Sequence, residues 1–174
     1  MRNGVFVVAE LTGSLRERVA EIQKEFDPKL ARVTPPHVTL IGSSGSGPAR
    51  FGTTAAQLIA AIAPIAAETP PIPTHFLRPL RFMQTQIVVL PLDVHGPLRT
   101  LHERIATSGL EFERARFTFY PHCTLSFYPT ITPDKEQRLL ALRLDAPFTI
   151  ERIQCYETRD PLPSKKLAEF TLSG

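Results

Sequence analysis

Cysteine is scarce in this chain: Cys123 and Cys155 are the only two. They form neither a disulfide framework nor a zinc-type pair, which excludes a thiol-stapled secreted scaffold and points to a reducing, cytoplasmic setting. Long apolar runs are lacking too. The longest, AAQLIAAIAPIAA, is broken by Gln57 and Pro64, is too short to span a bilayer and reads as a buried helix, so no membrane partner is expected. The N-terminal MRNGVFVVAEL meets Glu10 early and lacks the apolar length and small-residue cleavage site of a signal peptide. Charge of one sign is not in large excess. The net charge is +3 with a pI near 9.1; residues 1–84 hold 9 basic against 6 acidic side chains and residues 85–174 hold 11 of each. That balance suits an anionic ligand but not the basic stripe of a dedicated nucleic-acid binder. GSSGSGPARFG, residues 42–52, lacks the Gly-Lys-Ser/Thr ending of a phosphate-binding P-loop and is expected to be a mobile loop at the rim of a cleft.

What is present is enough for a folded domain. The 174 residues are 43% hydrophobic and 21% charged, and the 17 prolines cluster at turns. Strand-like runs occur at 4–11, 37–42, 72–82, 86–92, 119–128, 148–158 and 167–172, with helical periods between them. Ser14 and Thr132 are expected N-caps, with Pro133 and Pro97 in first helical turns. The order repeats: FVVAEL, LRERVAEI, PPHVTL in one half parallels IVVLPL, LRTLHERI, YPHCTL in the other, at offsets of 81 to 85 residues. An internal duplication follows, with one domain over 1–174 made of approximate halves 1–84 and 85–174 related by a pseudo-twofold axis that sets the two motifs face to face.

The repeated element is Pro-His-x-Thr-Leu. On a strand His37 and Thr39 share one face and Val38 and Leu40 the other; likewise His122, Thr124 and Ser126 oppose Cys123 and Leu125. A histidine titrates near 6.5, so of two imidazoles facing each other one can accept a proton while the other donates one. Threonine hydroxyls beside them suit the non-bridging oxygens of a phosphoester in its pentavalent transition state. Such a scheme requires no metal, and neither motif has the neighbouring carboxylates or thiolates of a metal site. Cys123 reads as a small buried hydrophobe.

Two His-x-Thr-hydrophobic motifs in so short a chain resemble the two-histidine (2H) phosphoesterase superfamily, in particular its bacterial 2'-5' RNA ligase-like, or RNA 2',3'-cyclic phosphodiesterase, branch. The resemblance implies an α+β fold: a bilobal pseudo-twofold duplication, each lobe an antiparallel sheet flanked by helices, with a central cleft. It implies a catalytic tetrad of His37, Thr39, His122 and Thr124 that opens a 2',3'-cyclic phosphate to a 2'-phosphomonoester without metal or cofactor. The family's mechanism leans to His122 as base and His37 as acid, an assignment the residues themselves leave open. The expected partner is RNA with a terminal 2',3'-cyclic phosphate or a small nucleotide, with no obligate protein partner. Tyr120, Ser126, Tyr128, Phe6 and Phe82 are candidate substrate contacts. The same site would also suit another small cyclic phosphate or 2'-5' RNA ligation, or a module that only binds phosphorylated ends. His75, His95 and His102 fall outside the motifs, His102 being expected as a partly exposed helix residue. Arg159, Lys165 and Lys166 gather near the C-terminus as a solvated turn or a phosphate contact.

Overall fold

Alternation of apolar and polar residues builds the strands that carry the motifs, and 3.6-residue periodicity builds the helices behind them. In the computed structural model, which describes residues 3–128, 131–159 and 162–174, the elements in chain order are β1 (Gly4–Glu10), α1 (Gly13–Phe26), α2 (Pro28–Val33), β2 (His37–Ile41), α3 (Ala55–Ala67), β3 (Ile72–Thr74), β4 (Leu80–Arg81), β5 (Val88–Pro91), α4 (Pro97–Ala106), β6 (His122–Ser126), α5 (Pro133–Leu140), β7 (Phe148–Ile150), β8 (Arg152–Arg159) and β9 (Leu162–Thr171). The fold is α+β, dominated by one large antiparallel sheet.

Local chemistry fixes the helix ends. Thr132 caps α5 by accepting from the Lys135 N–H, with Pro133 opening the helix. Thr54 and Gln57 form a reciprocal capping box at α3. The N-cap of α1 is Thr12, not Ser14: Gly13, at φ 58°, already opens the helix and leaves Ser14 inside it. The strand-like run 72–82 divides into β3 and β4, with Pro79 immediately before β4.

The seven-stranded sheet has the order β4-β5-β6-β2-β1-β8-β9, and β3 pairs with β7 in a separate ribbon. Exchanging the halves of the chain, β1 for β5, β2 for β6, β3 for β7 and β4 for β8, reverses the first six strands onto themselves. The pseudo-twofold axis therefore passes between β2 and β6, which meet at the pair Val38–Cys123. The spatial halves are not the sequence halves: β4, from the first, closes the edge beside β5, while β8, from the second, pairs with β1. The two antiparallel sheets are joined into one through the motif strands.

Beneath the motifs the core is built of apolar side chains. Val38, Leu40, Cys123 and Leu125 are all fully buried and pack with Val19 and Ile22 of α1 and Leu101 and Ile105 of α4 in one cluster. Each buried leucine contributes about 1.5–3 kcal/mol of burial free energy, so the inward side of the motif strands fixes which way the outward histidines point.

Candidate active site

Both histidines are seated by the same local device. The Pro36 carbonyl accepts from the Leu11 N–H at 2.9 Å and the Pro121 carbonyl from the Leu92 N–H at 3.0 Å, tying each motif to the strand that opens its half. His37 Nδ1 lies 2.7 Å from the Pro35 carbonyl oxygen, and His122 Nδ1 lies 2.7 Å from the Tyr120 carbonyl oxygen, in each case two residues back. A carbonyl only accepts, so each Nδ1 carries a proton, and each Nε2 is left to exchange one. The Pro before each histidine helps hold this extended approach, because its φ is fixed.

Across the axis, the antiparallel pair Val38–Cys123 sets His37 opposite Thr124 and Thr39 opposite His122. Each imidazole therefore has beside it the hydroxyl of the other motif. All four side chains line one cleft of about 310 Å³. Burial lowers both histidines from their ordinary value; the Pro35 carbonyl and then the Glu10 charge oppose this at His37, while at His122 the Tyr120 carbonyl opposes it and the charge of His37 adds to it. Both imidazoles are thus biased towards the neutral form until an anion arrives between them. Burial pushes the Cys123 thiol up to about 12, in keeping with a small core side chain.

The remaining candidates divide. Phe6 and Tyr128 line the cleft. Phe6 lies against the backbone of Gly42, the glycine that ends HVTLIG: at φ 131°, a Cβ there would fall 2.1 Å from Phe6 Cδ1. Phe82 and Tyr120 are not among the lining residues; Phe82 meets His122 edge-on at 5.1 Å and Tyr120 at 5.9 Å, forming a wall that backs the imidazole. Ser126 shares the parity of His122 and Thr124 but is fully buried and does not reach the cleft.

Other expectations are corrected by packing. His102 is 5% exposed, not a helix-surface residue: its Nδ1 lies 2.7 Å from the Leu40 carbonyl oxygen, and its ring stacks on Phe119 at 4.1 Å. It thereby holds β2 against α4 and against the segment that leads into the second motif. The loop after β2 is packed, not a free rim. Gly45 N–H donates to the Phe117 carbonyl at 2.8 Å, Gly47 N–H to that of Glu113 at 2.9 Å and Ala49 N–H to that of Val5 at 2.8 Å. Lys165 and Lys166 belong to β9, and Lys166 reaches Glu10 and Glu169; Arg159 pairs with Glu157 and lies over Phe51.

Several wall residues carry no motif and were silent in the sequence. Tyr156 of β8 lines the cleft beside Phe6, its ladder partner on β1. Gln23 of α1 also lines it, and its Nε2 donates to the Thr124 carbonyl at 2.7 Å. Leu30 and Val33 reach it from the short α2. Asp27, between α1 and α2, is 1% exposed; Oδ1 caps α2 at Leu30, and Oδ2 accepts from Phe127 and Tyr128 at 2.8 and 2.9 Å. The register of α1 on β6 creates these contacts, and no local pattern announces them. Among the described residues no cluster of three or more His, Cys, Asp or Glu is placed to hold a metal ion, and no helix is long and apolar enough to cross a membrane.

Comparison with known proteins agrees with this geometry. The family model of the 2'-5' RNA ligase superfamily matches residues 12–161. A candidate phosphoesterase of Geobacillus kaustophilus is 34% identical over 104 residues, a match spanning 59% of this chain and 57% of that protein. Among solved structures, TT0787 of Thermus thermophilus superposes with a TM-score of 0.69 at 16% identity, covering 98% of both chains. LigT of Escherichia coli, in its complex with 3'-AMP, superposes with a TM-score of 0.61 at 18% identity, covering 99% of both. The structural likeness extends over the whole sheet, and the family match spans both motifs, so this chain belongs to the 2'-5' RNA ligase superfamily, the two-histidine phosphoesterases.

Proposed function

We propose that this chain hydrolyses a 2',3'-cyclic phosphate, at an RNA 3' end or on a nucleotide, to a 2'-phosphomonoester, with His37, Thr39, His122 and Thr124 as its catalytic groups. The observation that carries the reading is the matched pair of histidines, each anchored through Nδ1 to the carbonyl two residues back, with Nε2 free and the other motif's threonine opposite. In the reaction, the oxygen of water forms a bond to phosphorus as one imidazole accepts a water proton. The bond from phosphorus to the 3'-oxygen breaks, and the other imidazole gives its proton to that oxygen. The threonine hydroxyls donate to the non-bridging oxygens, where charge grows in the transition state. Both proton transfers are supplied by side chains, so the scheme runs without a metal.

The walls support a terminal nucleotide as the unit recognised. A cleft of about 310 Å³ lies at the small end of ligand sites, and Phe6, Tyr128 and Tyr156 offer ring faces for a base. Among the described residues no lysine or arginine lines it, which favours the terminal nucleotide over a long polynucleotide track. The solved complexes of Escherichia coli LigT with 3'-AMP, with phosphate, with ATP and with NADP+ support a nucleotide-sized ligand by family analogy. A 5'-hydroxyl in place of water would give 2'-5' ligation at the same site. Two buried free thiols fit a reducing compartment such as the cytoplasm.

The test is ³¹P NMR of chelator-treated protein with a 2',3'-cyclic mononucleotide and, in parallel, a short RNA with the same end. A 2'-phosphate resonance is expected, with kcat falling at least about 10²-fold in His37→Ala and in His122→Ala. A cyclic phosphate that stays intact on both substrates, or turnover unchanged in folded alanine variants, overturns the reading.

A further inference from the structure

The two halves of the site share a motif but not its flanks. Glu10 is the ladder partner of His37, whereas the equivalent partner of His122 is Pro91. Directly paired residues of antiparallel strands project to the same face. His37 therefore has a carboxylate beside it. His122 has a pyrrolidine ring beside it and the edge of Phe82 at 5.1 Å.

Glu10 is held in place from the neighbouring strands. The Tyr156 hydroxyl donates to its Oε1, Lys166 Nζ lies 3.4 Å from the same oxygen, and its own backbone N–H donates to Gln154 Oε1 at 3.0 Å. Lys166 reaches Glu10 from β9, beyond β8 in the order β2-β1-β8-β9, so its ammonium offsets part of the carboxylate's charge from the side away from β2, and that ammonium is shared with Glu169 at 3.2 Å. Arg152 in turn lies 3.5 Å from Glu169. From the other elements around the cleft, His37 meets the Pro35 carbonyl and His122, while Lys29 of α2 is engaged over the Tyr128 ring at 3.9 Å. Among the described residues, Glu10 is thus the carboxylate paired directly with His37.

We propose that Glu10, fixed by Tyr156 and Lys166, is a positioning residue that breaks the chemical symmetry of the duplicated site by keeping the catalytic proton on His37. That bias gives a physical reason for the direction the family resemblance already implies, with His122 taking the proton from water and His37 protonating the departing 3'-oxygen. After turnover, His122 holds the extra proton and His37 lacks one, and transfer between them through solvent restores the starting state. Burial lowers both histidines, and against that common background the Glu10 charge acts upward on His37 while the His37 charge acts downward on His122. The inference rests on the cyclic phosphodiesterase reading for its catalytic consequence, but its electrostatic core can be measured without turnover.

The experiment is Glu10→Gln, which keeps an acceptor for Tyr156 and removes the charge. NMR titration of the imidazole Cε1–H signals in the free protein should show His37 protonating at higher pH than His122. In the variant the His37 midpoint should fall by about one unit, with folding verified from the remaining spectrum. In kinetics with a 2',3'-cyclic mononucleotide, the high-pH limb of kcat should move to lower pH, a loss of about 10-fold on the falling limb, with KM unchanged. Tyr156→Phe, which frees the carboxylate without removing it, should give a smaller shift in the same direction. A purely structural role for Glu10 would lower activity without moving the limb. His122 protonating above His37, or a His37 midpoint unmoved in Glu10→Gln, overturns the proposal. Absence of turnover in the wild type with the titration shift intact would overturn the phosphodiesterase reading and leave Glu10's hold on the His37 proton standing.

Discussion

Replacing Asp27 should dismantle one wall of the cleft while sparing the tetrad. This carboxylate is 1% exposed and accepts three backbone N–H groups: Leu30 at 3.0 Å through Oδ1, and Phe127 and Tyr128 at 2.8 and 2.9 Å through Oδ2. In Asp27→Ala all three donors lose their partner. A hydrogen bond to a charged group contributes about 1.5–3 kcal/mol, and a lost helix cap costs about 1 kcal/mol. With partial rehydration of Phe127 and Tyr128 at the rim, the summed destabilisation is about 3–5 kcal/mol. Asp27→Asn can keep its oxygen on the Phe127 and Tyr128 side and lose only the α2 cap, at about 1–2 kcal/mol. Urea denaturation monitored by circular dichroism measures both. The same substitutions free the turn that carries Tyr128 into the cleft, so KM for a cyclic nucleotide should rise more in the alanine variant than in the asparagine one, with kcat changed little. Equal stability losses in the two variants, or a loss under about 1 kcal/mol in Asp27→Ala, would refute the assignment of three simultaneous bonds.

The meeting of the four motif side chains in one cleft was legible in the sequence because the motif is written twice. Strand parity alone placed His37 and Thr39 on one face and Val38 and Leu40 on the other, and the matched order of the halves set the motifs across an axis; the burial pattern of β2 and β6 follows that alternation. Local capping chemistry likewise made Thr132 readable. What parity could not supply was depth along the strand. Ser126 has the right phase, yet it lies under neighbouring structure instead of at the cleft floor. His102 departs from its expected exposure for a related reason: α4 packs on β2 through a helix face that includes an imidazole, because the Leu40 carbonyl and the Phe119 ring give that imidazole partners inside the protein. The loop 42–52 looked mobile from its glycines and serines, but Gly45 is small where His102 Nε2 would otherwise meet a Cβ at 2.4 Å, which is what close packing demands. Glu10, Gln23, Asp27 and Tyr156 act through contacts more than 90 residues away in the chain, and a single sequence carries no signal for such pairings.

Acidification should weaken the fold through the buried histidines. Burial holds His37, His102 and His122 below their ordinary value, so the unfolded chain binds these protons first: stability is full above about pH 6.5 and falls as pH drops below it, by at most about 1.4 kcal/mol per unit for each group. A urea midpoint as high at pH 5.5 as at pH 7.5 would contradict that. Neither Cys123 nor Cys155, each with its thiol pushed up to about 12 by burial, should react with iodoacetamide in the native protein, while both should react in denaturant; mass spectrometry distinguishes the states. The interleaved sheet gives the last prediction, that the duplicated halves do not fold alone. Cut between Gln84 and Thr85, the first fragment keeps β4 but lacks β5, its ladder partner, and leaves the β1 edge bare where β8 belongs; the second has the converse deficit. Unpaired edges expose backbone donors and acceptors and, here, the buried Val5, Val7, Val88 and Leu90 beside them. Each fragment should be unfolded by circular dichroism and proteolysis, and mixing them should restore a cooperative transition with the cleft between them. A cooperatively folded fragment on its own would show that each half carries a complete core, and that the exchange of β4 and β8 is an addition to two finished lobes instead of the bond that makes them one domain.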